Sequence, residues 1–345
     1  MKDYPWHQSL HLQNFTVFKD TKFEFVPGVN ALVGENGTGK THLMKTMYMA
    51  QLSLAQQIPD YVPNLAATLK DLFQTRNLNE LIRLGTSDDT SAVLRGVYNN
   101  QDWNYDVQRD NDSWLSTETP FNKVYRPIFI PAIDMMGHTR GFLAAANQFF
   151  LDFDLTCTDV VALLALERRN GDRKPIILGG ISELLGGEIE YDEGSSRFYL
   201  VTAQGKLPMP LVGEGLRKIA TLVRLAQNGW LTSGTTLFWD EPEVNLNPIL
   251  MGEVVGAILD LSRQGVQVFL ATHSYVILKE LDLQAKETDS ICYFALQRNA
   301  DGTTVNPTDD FNLLDPNPIL EQYSSLYDRQ LTRSTGRNRK GERVG

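Results

Sequence analysis

The stretch from Gly34 to Thr41 reads GENGTGKT, and no other part of the chain constrains its fold so tightly. It fits the phosphate-loop pattern, with Gly34, Gly39, Lys40 and Thr41 in the required places. The apolar run VNALVG before it reads as a buried strand. From His42 to about Gln57 the spacing is helical, with Leu43, Met47 and Leu54 on one side. Strand, glycine-rich turn and helix in that order imply a layered α/β arrangement with the turn at a strand's carboxyl end. The chemistry needs this layout. Glycines let backbone N–H groups curl around a β-phosphate, and the helix N-terminus adds positive potential. Asn36, Gly37, Thr38 and Gly39 form the cradle, Lys40 reaches the β- and γ-phosphates, and the Thr41 hydroxyl is a ligand for Mg²⁺. The bland alternative is an incidental glycine-rich turn, and the strand before it and helix after it argue against that.

A second constellation lies 199 residues after Thr41. In LFWDEPE, Asp240 ends an apolar run, where a carboxylate suits the water shell of Mg²⁺, and Glu241 follows at once as a candidate general base. QVFLAT is another continuous apolar run, as expected of a parallel strand covered on both faces. Between the two runs, Asn247 suits an N-cap, Pro248 a first helical position and Gly265 a helix stop, giving a βαβ unit. His273, in LATHS, therefore ends the next strand on the same sheet edge, 33 residues after Asp240, and suits contact with a γ-phosphate or the attacking water. The other four histidines have no such placement.

Composition excludes several classes. With 345 residues and 42% apolar content the chain can bury a substantial core. No apolar run approaches the roughly 18–20 residues of a membrane span, and MKDYPWHQSL lacks a signal pattern. Cys157 and Cys292 stand far apart, against a disulfide framework, so a soluble, cytoplasmic protein is expected. The formal charge of −10 argues against a surface coated for nucleic acid, although a local basic groove needs only a few Lys and Arg.

Elsewhere, LHLQNFTVF and KFEFV read as a hairpin split at KDT. Residues 64–84 suggest one or two helices, and SAVLRGVY, WNYDVQR and SWLS suggest antiparallel strands. VYRPIFIPAID is a strand entering a bend, residues 140–170 read as helical, RFYLVTAQGKLPMPL as strand, and a helix begins near Leu216.

Phosphate loop, Asp-Glu pair and histidine, in this order, resemble an ATP-binding-cassette ATPase of the SMC/RecF/OLD-like branch. The opening LHLQNFTVFKDTKFEFVPGVNALVGENGTGKT is similar to that branch's N-terminus, and DEPEVNLNP to its DEPExxLxP element. The resemblance implies an α/β ABC-ATPase head with a mixed, largely parallel P-loop sheet, an antiparallel β-subdomain and a helical lobe. It implies ATP and Mg²⁺, with hydrolysis to ADP and phosphate that is slow or ordinary. It also implies a homodimer with two ATP molecules sandwiched between subunits. In the family a signature loop opens a helix some 20–30 residues before the Asp-Glu strand, and PMPLVGEGLRK occupies that place. Gly213, Glu214 and Gly215 match its Ser-x-Gly core with glycine for serine. Asn247 replaces the Asp or His of many relatives in the loop linking the two sites. Asp134 stands where a γ-phosphate or metal sensor is expected.

Only 79 residues separate Asp134 from Gly213, without sustained heptads, so no coiled-coil arm is expected. The 72 residues after His273 lack an Asp-x-Asp pair for a metal-dependent nuclease. The expected organisation is one head over 1–330, a helical and β lobe at about 135–210, and a basic disordered tail over 331–345. The stand-alone prokaryotic ATPases of this branch, many encoded beside effectors in phage-defence or toxin–antitoxin-like modules, imply a nucleotide switch on a separate effector protein. Two alternatives stand beside it: a RecF-like DNA-binding repair ATPase, and a nucleotide-stabilised scaffold with negligible hydrolysis.

Overall fold

The chain starts as a hairpin of β1 (His7–Phe15) and β2 (Phe18–Glu24), then β3 (Val29–Gly34) runs through the 34–41 loop into α1 (Lys40–Ala55). α2 (Leu65–Phe73) precedes β4 (Ala92–Tyr98), β5 (Gln101–Val107), β6 (Ser113–Thr117) and β7 (Ile128–Ile130). Next come α3 (Phe142–Phe149), α4 (Leu155–Ala165), β8 (Glu188–Asp192), β9 (Arg197–Thr202), β10 (Gly205–Pro208) and α5 (Glu214–Gln227). The chain closes with β11 (Thr236–Asp240), α6 (Pro248–Arg263), β12 (Gln267–Thr272), α7 (Tyr275–Gln284), β13 (Ile291–Asn299), β14 (Gly302–Thr308) and α8 (Pro318–Thr335). This computed structural model describes residues 4–55, 65–87, 89–108, 113–117, 124–149, 151–166 and 176–335.

The central sheet has the order β14-β13-β3-β12-β11-β7, parallel except for β14. Its inner strands β3, β11 and β12 are buried along their whole length because both faces are covered, and alternate residues serve two different cores. Ala31, Val33, Leu237, Trp239, Val268 and Leu270 face the core shared with α5, α6, α7 and the 135–210 segment. Leu32, Phe238, Phe269 and Phe294 face the other core, formed with α1 and the antiparallel sheet β2-β1-β4-β5-β6. The third sheet, β10-β9-β8, belongs to the lobe, whose Ile189, Phe198 and Leu200 join the first core. Among the described residues the longest helix has 18 residues, and nothing resembles a coiled-coil arm.

Several expectations shift in register. The first hairpin turns at Thr16–Val17, with Phe15 opposite Phe18, not at Lys19–Thr21. Positive φ at Asn14 and Thr16 makes the bend, and Thr21 is buried, donating to Thr303 O at 3.0 Å. The helical stretch over 140–170 is two helices. Asp154 caps the second by accepting from Thr156 N at 2.8 Å, and residues 167–175 lie outside the described part. Of the basic tail, residues 331–335 continue α8 and the remainder lies outside the described residues. Strands β13 and β14, which the sequence did not suggest, seat a parallel neighbour directly beside β3.

Candidate functional site

All the loops of the sequence-derived constellation open on one edge of the central sheet, because β3, β11 and β12 are parallel neighbours in register. In the 34–41 loop the glycines are required by geometry. Gly37 and Gly39 have φ of +77° and +97°, and a Cβ on Gly39 would lie 2.6 Å from Val17 Cγ2. A Cβ on Gly34 would lie 2.4 Å from Leu296 O, so β13 presses the loop's entry. Thr38 donates to Glu35 O at 2.9 Å and is 1% exposed, so its hydroxyl stiffens the loop. Lys40 is buried and its Nζ donates to Gly34 O and Glu35 O at 2.7 and 2.9 Å. Burial lowers its pKa to about 8, against the pull of Asp240, Glu241, Glu243 and Glu35. A bound polyphosphate would supply this ammonium with stronger acceptors than its own carbonyls.

Thr41 Oγ1 donates to Asp240 Oδ2 at 2.8 Å, joining the two expected Mg²⁺ ligands. Burial raises the Asp240 pKa to about 6, with adjacent Glu241 adding to it and the Thr41 bond opposing it. A carboxylate held in that condition gains from a cation. Mg²⁺ is commonly held by one or two protein ligands with substrate phosphates and water. The Thr41–Asp240 donor set therefore fits the ion.

The βαβ reading puts Asp240 and His273 on one sheet edge; there His273 Nε2 and Glu241 Oε1 are 3.0 Å apart. Both side chains are about one-third exposed, at 30% for His273 and 33% for Glu241. Glu241 has φ +45°, a costly conformation for a non-glycine residue. Its N–H donates to Ala271 O at 2.9 Å, and its own carbonyl accepts from Lys218 Nζ at 3.1 Å. Glu243 completes the arrangement, its Oε1 accepting from Thr272 Oγ1 and His273 N at 2.8 and 2.7 Å.

Lys218 and Glu243 are the residues sequence reasoning missed. The second Glu of DEPE was a visible signal for Glu243. Lys218 had none, because a lysine in an amphipathic helix reads as a solvated residue, yet it is 2% exposed.

Gly213 is the N-cap of α5 and offers no side-chain cap to the first turn. Gly215 packs on the loop after the Asp-Glu strand, where a Cβ would lie 2.9 Å from Asn245 O. The signature segment thus rests against its own subunit's 241–247 loop. Asn247 acts as the expected N-cap, accepting from Leu250 N at 3.0 Å. Asp134, expected as a γ-phosphate or metal sensor, has partners within the chain. Its carboxylate is ion-paired with Arg217 Nε and accepts from Met136 N and Gly137 N at 3.1 and 3.3 Å. Arg217 in turn donates to Val212 O at 2.6 Å. Asp134 therefore pins α5 to the loop after β7, with Arg217 as its cation in this structure.

The family described as AAA domain, putative AbiEii toxin, Type IV TA system matches residues 29–279. An ATP/GTP phosphatase of Helicobacter pylori is 23% identical over 337 residues, covering 82% of this chain and 89% of the relative. A DNA replication and repair protein RecF of Limosilactobacillus reuteri is 41% identical over 44 residues, only 13% of this chain and 12% of that protein. In fold, the chain is similar to an Smc head solved bound to the C-winged helix domain of ScpA. The TM-score is 0.56 at 13% identity, covering 88% of this chain and 97% of that one. Among the described residues no helix is long and apolar enough to cross a membrane.

Proposed function

The chain belongs to the AAA domain, putative AbiEii toxin, Type IV TA system family, a P-loop ATPase domain, and from that premise we propose that it binds ATP with Mg²⁺ and hydrolyses the γ-phosphate. The observation that carries this reading is the Glu241–His273 pair standing on the same sheet edge as Lys40 and the Thr41–Asp240 pair. Backbone N–H groups of residues 36–41 and Lys40 hold the phosphates. Thr41 and Asp240 hold Mg²⁺, which when bound neutralises charge on the phosphate oxygens. Glu241 accepts a proton from water as the water oxygen bonds to the γ-phosphorus and the bond to the β–γ bridging oxygen breaks. His273 orients Glu241 and faces the departing phosphate.

Two copies pair head-to-tail, each placing the open N-terminus of α5, at Gly213, Glu214 and Gly215, on its partner's triphosphate. The uncapped first turn of α5 supports this, since its N–H groups have no side-chain acceptor of their own. Pairing then switches a separate effector protein, in the setting of prokaryotic phage defence that the family resemblance implies. A nucleotide-stabilised scaffold is the second reading. It is favoured by Gly213, which lacks the hydroxyl donor of the usual signature serine.

Single-turnover hydrolysis by wild type and Glu241→Gln tests the first reading. We expect a loss of about a hundredfold or more, with ATP-dependent dimers of the variant in sedimentation. Equal rates refute hydrolysis at this site, and a variant that stays monomeric with ATP and Mg²⁺ refutes the sandwich.

A further inference from the structure

A second cavity lies outside the ATP site, between the short 3-10 turn Met136–His138 and the lobe strand β9. Its volume is about 240 Å³, and its wall carries His138, Arg140 and Arg197, with Thr139, Phe198 and Pro210 completing it. Three basic residues line one small cavity, His138 and Arg140 exposed and Arg197 half-buried, in a chain of formal charge −10. Neither arginine has a carboxylate or any other side-chain partner among the described residues. Asp192 stands directly across the hairpin from Arg197, but its carboxylate accepts from Ser195 Oγ and Gly194 N at 2.7 and 3.0 Å. The walls are tied together, with Thr139 Oγ1 donating to Ser196 O at 3.4 Å. The cavity is smaller than the roughly 300–1,000 Å³ of drug-sized ligand sites, so it suits one compact anion.

We propose that this cavity is an oxyanion site for a single phosphate group, gripped by Arg140 and Arg197 with the His138 ring as a further donor. Guanidinium forks match phosphate oxygens in two-point geometry, and unpaired arginines in a concave wall retain that capacity. The site also borders the signature helix. A Cβ on Gly137 would lie 3.0 Å from Arg217 Nε and 3.1 Å from Asp134 Oδ2, so the turn that walls the cavity rests on the Asp134–Arg217 pair. Pro210 lies three residues before Gly213. An anion here would brace the approach to the signature loop. The phosphate is either free or part of a nucleic-acid strand, and the two sources are separated below.

The test uses the full chain carrying Lys40→Ala, so that phosphate binding in the 34–41 loop does not contribute. Inorganic phosphate and a short single-stranded DNA are titrated separately by calorimetry. The same is done with Arg140→Gln and Arg197→Gln added, and thermal unfolding confirms that each variant is folded. Saturable binding, one per chain, that weakens at least about tenfold with each arginine removed is expected. Phosphate competing with the oligonucleotide identifies a strand phosphate, and phosphate binding alone identifies a free oxyanion. No saturable binding of either probe, or affinities unchanged in the folded arginine variants, overturns the proposal. Because the loop lysine is absent throughout, this result is independent of whether the chain hydrolyses ATP.

Discussion

Lys218→Met probes how the loop after β11 is held in the proposed hydrolysis. Lys218 is 2% exposed, and its Nζ bonds the carbonyl of Glu241 at 3.1 Å. Burial lowers the lysine pKa, while Glu243, Glu214, Asp134 and Glu241 draw it back up. Glu241 itself sits at φ +45°. A non-glycine residue in such a conformation costs on the order of 1–3 kcal/mol and persists only if its surroundings enforce it. A hydrogen bond from a charged donor contributes about 1.5–3 kcal/mol, comparable to that strain. Removing the bond frees Glu241 to relax away from His273. If that stabilisation is lost in the transition state, kcat falls by about ten- to a hundredfold at 1.36 kcal/mol per factor of ten. Methionine fills similar space without a buried ammonium, so stability should change by no more than about 1–2 kcal/mol. Steady-state phosphate release and urea unfolding, measured together, separate the two effects. Nucleotide affinity should hold, since Lys40 and Thr41 are untouched, and Lys218→Arg should recover part of the rate. A Lys218→Met protein that folds normally and keeps its full kcat would refute the reasoning.

Three further outcomes are expected. A Cβ on Gly213 meets nothing within 4 Å and its φ of −56° suits any residue. Gly213→Ser should therefore fold, cap α5 for a few tenths of a kcal/mol, and raise ATP-dependent pairing in sedimentation by about tenfold. Gly39→Ala should unfold at clearly lower temperature in a thermal melt, because φ +97° and a contact of 2.6 Å to Val17 Cγ2 leave no room for a methyl group. The third concerns acid. His7 is fully buried, and burial lowers its pKa from 6.5 to about 4, opposed by its bond to Gln51. The unfolded chain takes the proton more readily, so His7's contribution is complete above pH 6.5 and is lost as pH falls toward 4. Between pH 7 and pH 5 this removes about 2 kcal/mol, measurable by urea unfolding, and the slope should shrink in His7→Gln.

The edge that carries the candidate site was legible because its signals are local. VNALVG is an apolar run ending at a glycine, TTLFWD and QVFLAT end in an acid and a threonine, and the Asn247-Pro248 start and Gly265 stop of α6 follow from backbone chemistry alone. From these, the shared sheet edge of Asp240 and His273 was derivable before any contact was known. The turn at Thr16–Val17 was not, because threonine carries no preference for the φ of +49° it adopts there. Strand β13 was missed, although it lies against β3 and its Leu296 carbonyl excludes a side chain at Gly34.

The sequence by itself determined the chemistry on offer: a phosphate loop, a pair of acids, a histidine, and the order of strand and helix that brings them to one edge. Tertiary structure decided how those groups are held. It gave Asp134 to Arg217, placed Lys218 under the Glu241 carbonyl, and set Arg140 and Arg197 around a cavity without a side-chain partner among the described residues. Periodicity and capping act over a few residues and can be read along a chain. The partner of a charge is chosen by packing between segments 23 to 83 residues apart, and no local pattern records it.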